Sequence, residues 1–236
     1  PTTGVLTAMF HPSESPDVIT ESEDLFGDKT EIRAQEEFQV INGQGKLVRS
    51  RTESTATGLA GDITQTISET VSDYTDGTED PAVLPPDYSR PTVNGKTPPS
   101  PARVWIGLLK GVHEVEVPYQ DLDGVNQTFT GTVTTATDAF GFTRTLSLIS
   151  NTYEVLAGVA KEVLSSTRSQ QRGADGSGAE IVSLVRTLYT DGTEDPAGFA
   201  AEYHKDQPDG KVWNGLIKDV QEQQVNYVNP FTGQEE

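Results

Sequence analysis

The nine residues Y-T-D-G-T-E-D-P-A occur twice, from Tyr74 to Ala82 and again from Tyr189 to Ala197. Each copy concentrates acid: Asp76, Glu79 and Asp80 in the first, Asp191, Glu194 and Asp195 in the second. Calcium takes about six to eight oxygen ligands from closely spaced carboxylates and carbonyls, so each triplet is a candidate calcium site. The competing reading is a structural turn. Asp76-Gly77 is a turn pair, Pro81 stiffens the exit, and the D-x-[DN]-x-[DN]-G spacing of a calcium loop is absent. The turn is preferred, with calcium kept as the one cofactor the chain could hold. D-L-D-G from Asp121 to Gly124 is a similar fragment and reads as a connecting turn.

Other chemistry finds little to build on. His11, His113 and His204 share no context, and none has a histidine at the matching place in the repeat. The chain has no G-x-S-x-G elbow, H-E-x-x-H, phosphate loop or G-x-G-x-x-G. Carboxylate pairs for glycoside hydrolysis could be drawn from so many acids that choosing two is arbitrary. Trp105 and Trp213 could stack on a sugar, but their apolar flanks and matching positions favour buried anchors of a core. Asn126-Gln127-Thr128 fits the glycosylation pattern, which carries no weight outside a secretory pathway. No catalytic residue and no cofactor-binding residue is assigned.

Bulk properties narrow the partners. Across 236 residues, 17 basic and 36 acidic side chains give a formal charge of -19, which disfavours a phosphate backbone or an anionic membrane surface as partner. Cysteine is absent, removing disulfides and thiolate chemistry. No apolar run approaches the roughly 18 residues of a membrane span.

The repeated phrase belongs to a longer repeat that the rest of the chain must position. At an offset of 115, Phe38 meets Tyr153, Val40 meets Val155, Gly43 meets Gly158, Val48 meets Val163, Ser50 meets Ser165, Thr52 meets Thr167 and Ile67 meets Val182. Beyond the phrase the offset is 108, and V-W-I-G-L-L-K-G-V from Val104 pairs with V-W-N-G-L-I-K-D-V from Val212. Two divergent copies of one unit explain this pattern. Read alone, Y-E-V-L-A-G-V-A-K-E-V-L from Tyr153 could be a helix, but its counterpart contains Asn42-Gly43 between apolar residues, the strongest short hairpin signal. Both copies are therefore expected to be strand-turn-strand here. Alternation in H-E-V-E-V-P-Y, T-F-T-G-T-V-T and T-L-S-L-I-S adds further strands. V-W-I-G-L-L-K-G-V is left open between strand and short helix.

The expected fold is all-β: two tandem duplicated β-sandwich or barrel-like units behind an extended N-terminal arm. Residues 1–27 form the arm, 28–120 the first unit with a Pro-rich loop at 83–103, and 121–236 the second unit with its connector. Such a chain has the parts of a symmetric assembly, with arm and loops free to bury surface on neighbours. In composition and organisation it is similar to tail, neck, baseplate or decoration proteins of bacteriophage particles. That implies a non-enzymatic structural role in a virion, as a homo-oligomer or with other structural subunits, without sequence-specific nucleic-acid or membrane binding. The alternative is a bacterial cell-surface or secreted binding module of tandem β domains stiffened by calcium. An enzyme ranks last.

Overall fold

The computed structural model of the protein describes residues 18–80, 84, 104–200 and 212–225. Arm residues 1–17 and the Pro-rich loop, Leu84 excepted, lie outside the described residues. Twelve strands follow in order: β1 (Val18–Glu23), β2 (Lys29–Ile41), β3 (Gln44–Thr57), β4 (Ile63–Tyr74), β5 (Leu109–Glu114), β6 (Glu116–Gln120), β7 (Asn126–Thr130), β8 (Thr132–Thr137), β9 (Thr143–Leu156), β10 (Val159–Gly173), β11 (Gly178–Tyr189) and β12 (Ile217–Val225). The described chain is all-β and antiparallel throughout, apart from one 3-10 turn at Pro196–Gly198.

The two copies lie side by side in one sheet rather than as two sandwiches or barrels. Strand order is β1-β2-β3-β4-β8-β9-β10-β11-β12, with β5 also on β4, and β6 and β7 form a separate ribbon. The reason lies where the first copy meets the second. In the second copy, β12 runs along β11 from Tyr189 to Val182. In the first, β5 pairs only with Thr70–Tyr74. The chain then leaves the sheet at Val115, whose N–H donates to Glu69 O at 3.1 Å, and makes the β6–β7 ribbon. It returns through Gly131 as β8, which occupies the vacated half of β4 from Ile63 to Ile67 and passes the ladder on to β9.

Both hairpins form as the turn residues dictate. Asn42 and Gly43 have φ of 50° and 75°, and Ala157 and Gly158 have 51° and 76°, the left-handed pair that a two-residue hairpin turn requires. The resemblance of the copies extends to their irregularities. Val48 is skipped in the β2–β3 register, and Val163 at the same place in β9–β10. Lys110 is skipped between β4 and β5, and Lys218 between β11 and β12.

Strand alternation gives the sheet two unlike faces. On one, Ser54, Thr66, Thr134, Ser147 and Ser169 are successive cross-strand neighbours. Their hydroxyls pair across strands, Thr66 with Thr134 at 3.0 Å and Ser169 with Ser147 at 3.0 Å. The other face carries Arg49, Arg51, Glu53, Glu69, Arg168 and Glu180, with an apolar centre over which the ribbon lies. That centre is the core: Val117 from the ribbon buries against Val133 and Leu146, with Ile67, Leu148, Tyr119 and Phe129 around them. Among the described residues the only other buried hydrophobics are Val104 and Val212.

Candidate functional site

The repeated phrase closes the end of each unit, where β4 or β11 runs out. Thr75 and Thr190 are buried, and each hydroxyl works in both directions. The Thr75 hydroxyl donates to Trp105 O at 2.5 Å and accepts from Leu108 N at 3.0 Å; Thr190 does the same with Trp213 O and Leu216 N at 2.5 and 3.0 Å. The loops after the phrase, of different length in the two copies, thus return to one fixed point. Tyr74 and Tyr189 fasten the same end to the hairpin, donating at 3.0 Å to the carbonyls of Leu47 and Glu162. Lys46 and Lys161 sit over the two tyrosine rings, each 5.8 Å from the centroid.

The acids of the phrase accept hydrogen bonds from its own turn. Asp76 Oδ1 accepts from Thr78 N at 2.8 Å and from the Thr78 hydroxyl at 2.6 Å; Asp191 accepts from Thr193 at the same two distances. These bonds, the hydroxyl's first, hold both aspartates below the usual carboxylate range. Glu79 Oε1 and Oε2 accept from Asp76 N and Gly77 N, both at 3.0 Å, and Glu194 accepts from Asp191 N at 3.1 Å and Gly192 N at 3.0 Å. The skipped lysines complete each turn, Lys110 Nζ lying 3.6 Å from Glu79 and Lys218 Nζ 3.3 Å from Glu194. Asp195 Oδ1 accepts from Ala197 N at 3.0 Å. Among the described residues, no three His, Cys, Asp or Glu side chains gather at metal-binding distance. Asp121 likewise accepts from Asp123 N and Val125 N, both at 2.9 Å, and shapes the tip of the ribbon. His113 faces Asp73 at 3.4 Å on the surface, while His11 and His204 lie outside the described residues.

The tryptophans correct an expectation. Trp105 and Trp213 are 46% and 49% exposed, and the buried members of each pair are Val104 and Val212. Alternation allows only one of two neighbours inside. It is the Trp backbone carbonyl, not the ring, that the threonine engages.

Residues outside the phrase build the seam between the copies, which the sequence reading missed. At Asn151, β9 extends beyond the last residue paired with β8. Glu114 at the end of β5 fills the gap: Oε2 accepts from Asn151 N at 2.8 Å and Oε1 from Asn151 Nδ2 at 3.0 Å. Ser165 donates to Asn151 Oδ1 at 2.7 Å, completing the chain of bonds. Burial pushes the Glu114 carboxyl above its usual range against the pull of the Asn151 donors. Glu69, also buried, accepts from Arg49 Nε at 2.6 Å and from Arg51 Nη1 at 3.4 Å. Glu69, Arg49 and Arg51 become Leu184, Leu164 and Ser166 in the second copy. The Ser150 side chain also bonds to the Glu114 carboxylate, and these bonds connect strands. The chain matches no protein-family model, and comparison with curated proteins and with solved structures finds no similar protein.

Proposed function

We propose that this protein is a non-enzymatic structural subunit that works by assembling, with two tandem copies of one β unit as its rigid block. One observation carries the reading: among the described residues, the ten-stranded sheet has a buried hydrophobic cluster only where the small ribbon covers it. A sheet is stabilised by burying its faces against another layer and by satisfying its edges, and the described chain does neither over most of its length. Neighbouring subunits are the natural source of what is missing. The most specific form of the proposal is a bacteriophage virion component of tail, neck, baseplate or decoration type. Acidic charge, absence of cysteine and a duplicated β unit support it.

Light scattering across a concentration series tests this. The protein should exceed 25.5 kDa and grow with concentration. A strict monomer at the highest concentration reached would remove the assembly reading. In the alternative, a calcium-stiffened surface module, bound ion adds stability that rises with its concentration. Because the turn acids already accept from the turn's own donors, chelator should leave Tm unchanged; a marked fall would favour that alternative.

A further inference from the structure

One face of the sheet is neutral in a chain of formal charge -19. The row running from Ser54 through Thr134 to Ser169 is flanked by Thr64, Ala136 and Thr145 on one side and by Thr52, Ile149 and Thr167 on the other. From β1 to β11 these three rows hold no charged residue. Alternation sends the charges of the same strands, Arg51, Glu53, Glu69, Arg168 and Glu180 among them, to the opposite face. The neutral rows are also level, since Ser, Thr and Ala fill most of their positions. The central row ends in Ile32 and Ile181, which are 37% and 62% exposed.

We infer that two copies of this protein stack with these faces together across a two-fold axis. The inference rests on the assembly reading above and specifies its contact. Like-charge repulsion keeps two strongly acidic chains apart unless the approaching surfaces are neutral, and this face meets that condition. Its hydroxyls already bond across strands, Thr66 with Thr134 and Ser169 with Ser147, so a dry layer laid over them leaves none of these four without a partner. Small side chains let two sheets of the same twist approach to about 10 Å or less.

The area agrees with a stable pair. Eight strands at about 4.8 Å and three rows at about 6.8 Å outline about 780 Å², against the roughly 800 Å² that each partner of a standard interface buries. The occupant has to be another sheet. Each stretch outside the described residues has at most 19 residues, enough for a hairpin and not for a layer of this width, whereas a second copy brings a matching sheet. Thr134 lies in the middle row on a central strand, so a two-fold through the patch centre brings it beside its own counterpart whichever way the axis runs.

Charge placed at that point tests the contact. Thr134→Glu sets two acids against each other and should weaken self-association by about 100-fold or more in sedimentation equilibrium, with the far-UV spectrum unchanged. Thr134→Lys should do the same alone. Mixing the two variants should restore the pair, because unlike charges then meet. Thr152→Glu, exposed on the opposite face, should leave association as it is. If the wild type assembles and Thr134→Glu associates as tightly, or the mixture fails to recover what each variant lost, the contact is wrong and the assembly reading stands. If Thr134→Glu melts far below the wild type at a concentration where both are monomeric, a segment of the same chain covers this face and the inference falls. A wild type that stays monomeric at every concentration removes both.

Discussion

The edge of β4 and the edge of β11 match in sequence and are covered in different ways. Along β4, β5 and β8 share the strand between them, and Glu114 closes the remaining gap to β9. Along β11, β12 alone covers Val182–Tyr189 among the described residues. The difference comes from a detour of the chain, since copy one leaves the sheet at Val115 to make the ribbon and copy two does not within the described residues. Edges of matching sequence can thus be covered by one segment or shared between two. What decides is which segment arrives to cover it.

The largest test of that comparison is the residue through which the detour returns. Gly131 has φ of 140°, and a Cβ there would meet Ile149 O at 2.2 Å and the Phe129 ring at 2.6 Å. Gly131→Ala should cost about 3–5 kcal/mol in denaturant unfolding, because it combines backbone strain with a clash that backbone atoms cannot relieve. A cost below about 1 kcal/mol would mean the seam is not built as described.

Glu69 sharpens the comparison next. Glu69→Ala leaves Arg49 without its carboxylate while Arg51 keeps Glu53, and should cost about 2–4 kcal/mol, less than a fully buried pair because Arg49 is half exposed. Restoring the second copy's choice with Arg49→Leu, Arg51→Ser and Glu69→Leu together should recover most of that loss. Thr75→Val and Thr190→Val should then cost about 1–3 kcal/mol each, since each leaves a carbonyl and an N–H of the loop return unsatisfied. Similar penalties at the two sites would show that the closures are energetic equals. The smallest effect is a gain. Ala157 holds φ of 51° where copy one uses Asn42, so Ala157→Asn should stabilise by about 0.5–1 kcal/mol in thermal unfolding.

Much of the local structure could be read from residue types. Asn42-Gly43 announced its hairpin, and the repeat carried that reading to Ala157-Gly158, where the sequence alone looked helical. V-W-I-G-L-L-K-G-V, left open, splits into a bridge at Val104, a turn and β5, because Gly107 adopts φ of 86° in its middle. Layer arrangement was not legible. Alternating Ser and Thr mark a strand without saying what lies over it, so one open sheet and two closed sandwiches look alike in sequence. β1 lies on β2 as β8 lies on β9, with partners 115 residues apart, and this was hidden for a different reason: V-I-T-E-S-E and T-V-T-T-A-T share only the threonine at Thr20 and Thr134. What they share is a register, which appears only when the partners are known. Glu114 was equally silent, since its role depends on Asn151 arriving from the other copy.

The most direct measurement is imaging of the assembled protein by electron microscopy. The account predicts assemblies in which neighbouring subunits cover the sheet outside the region under the β6–β7 ribbon. A protein that stays monomeric, or assemblies that leave those faces open to solvent, would contradict it.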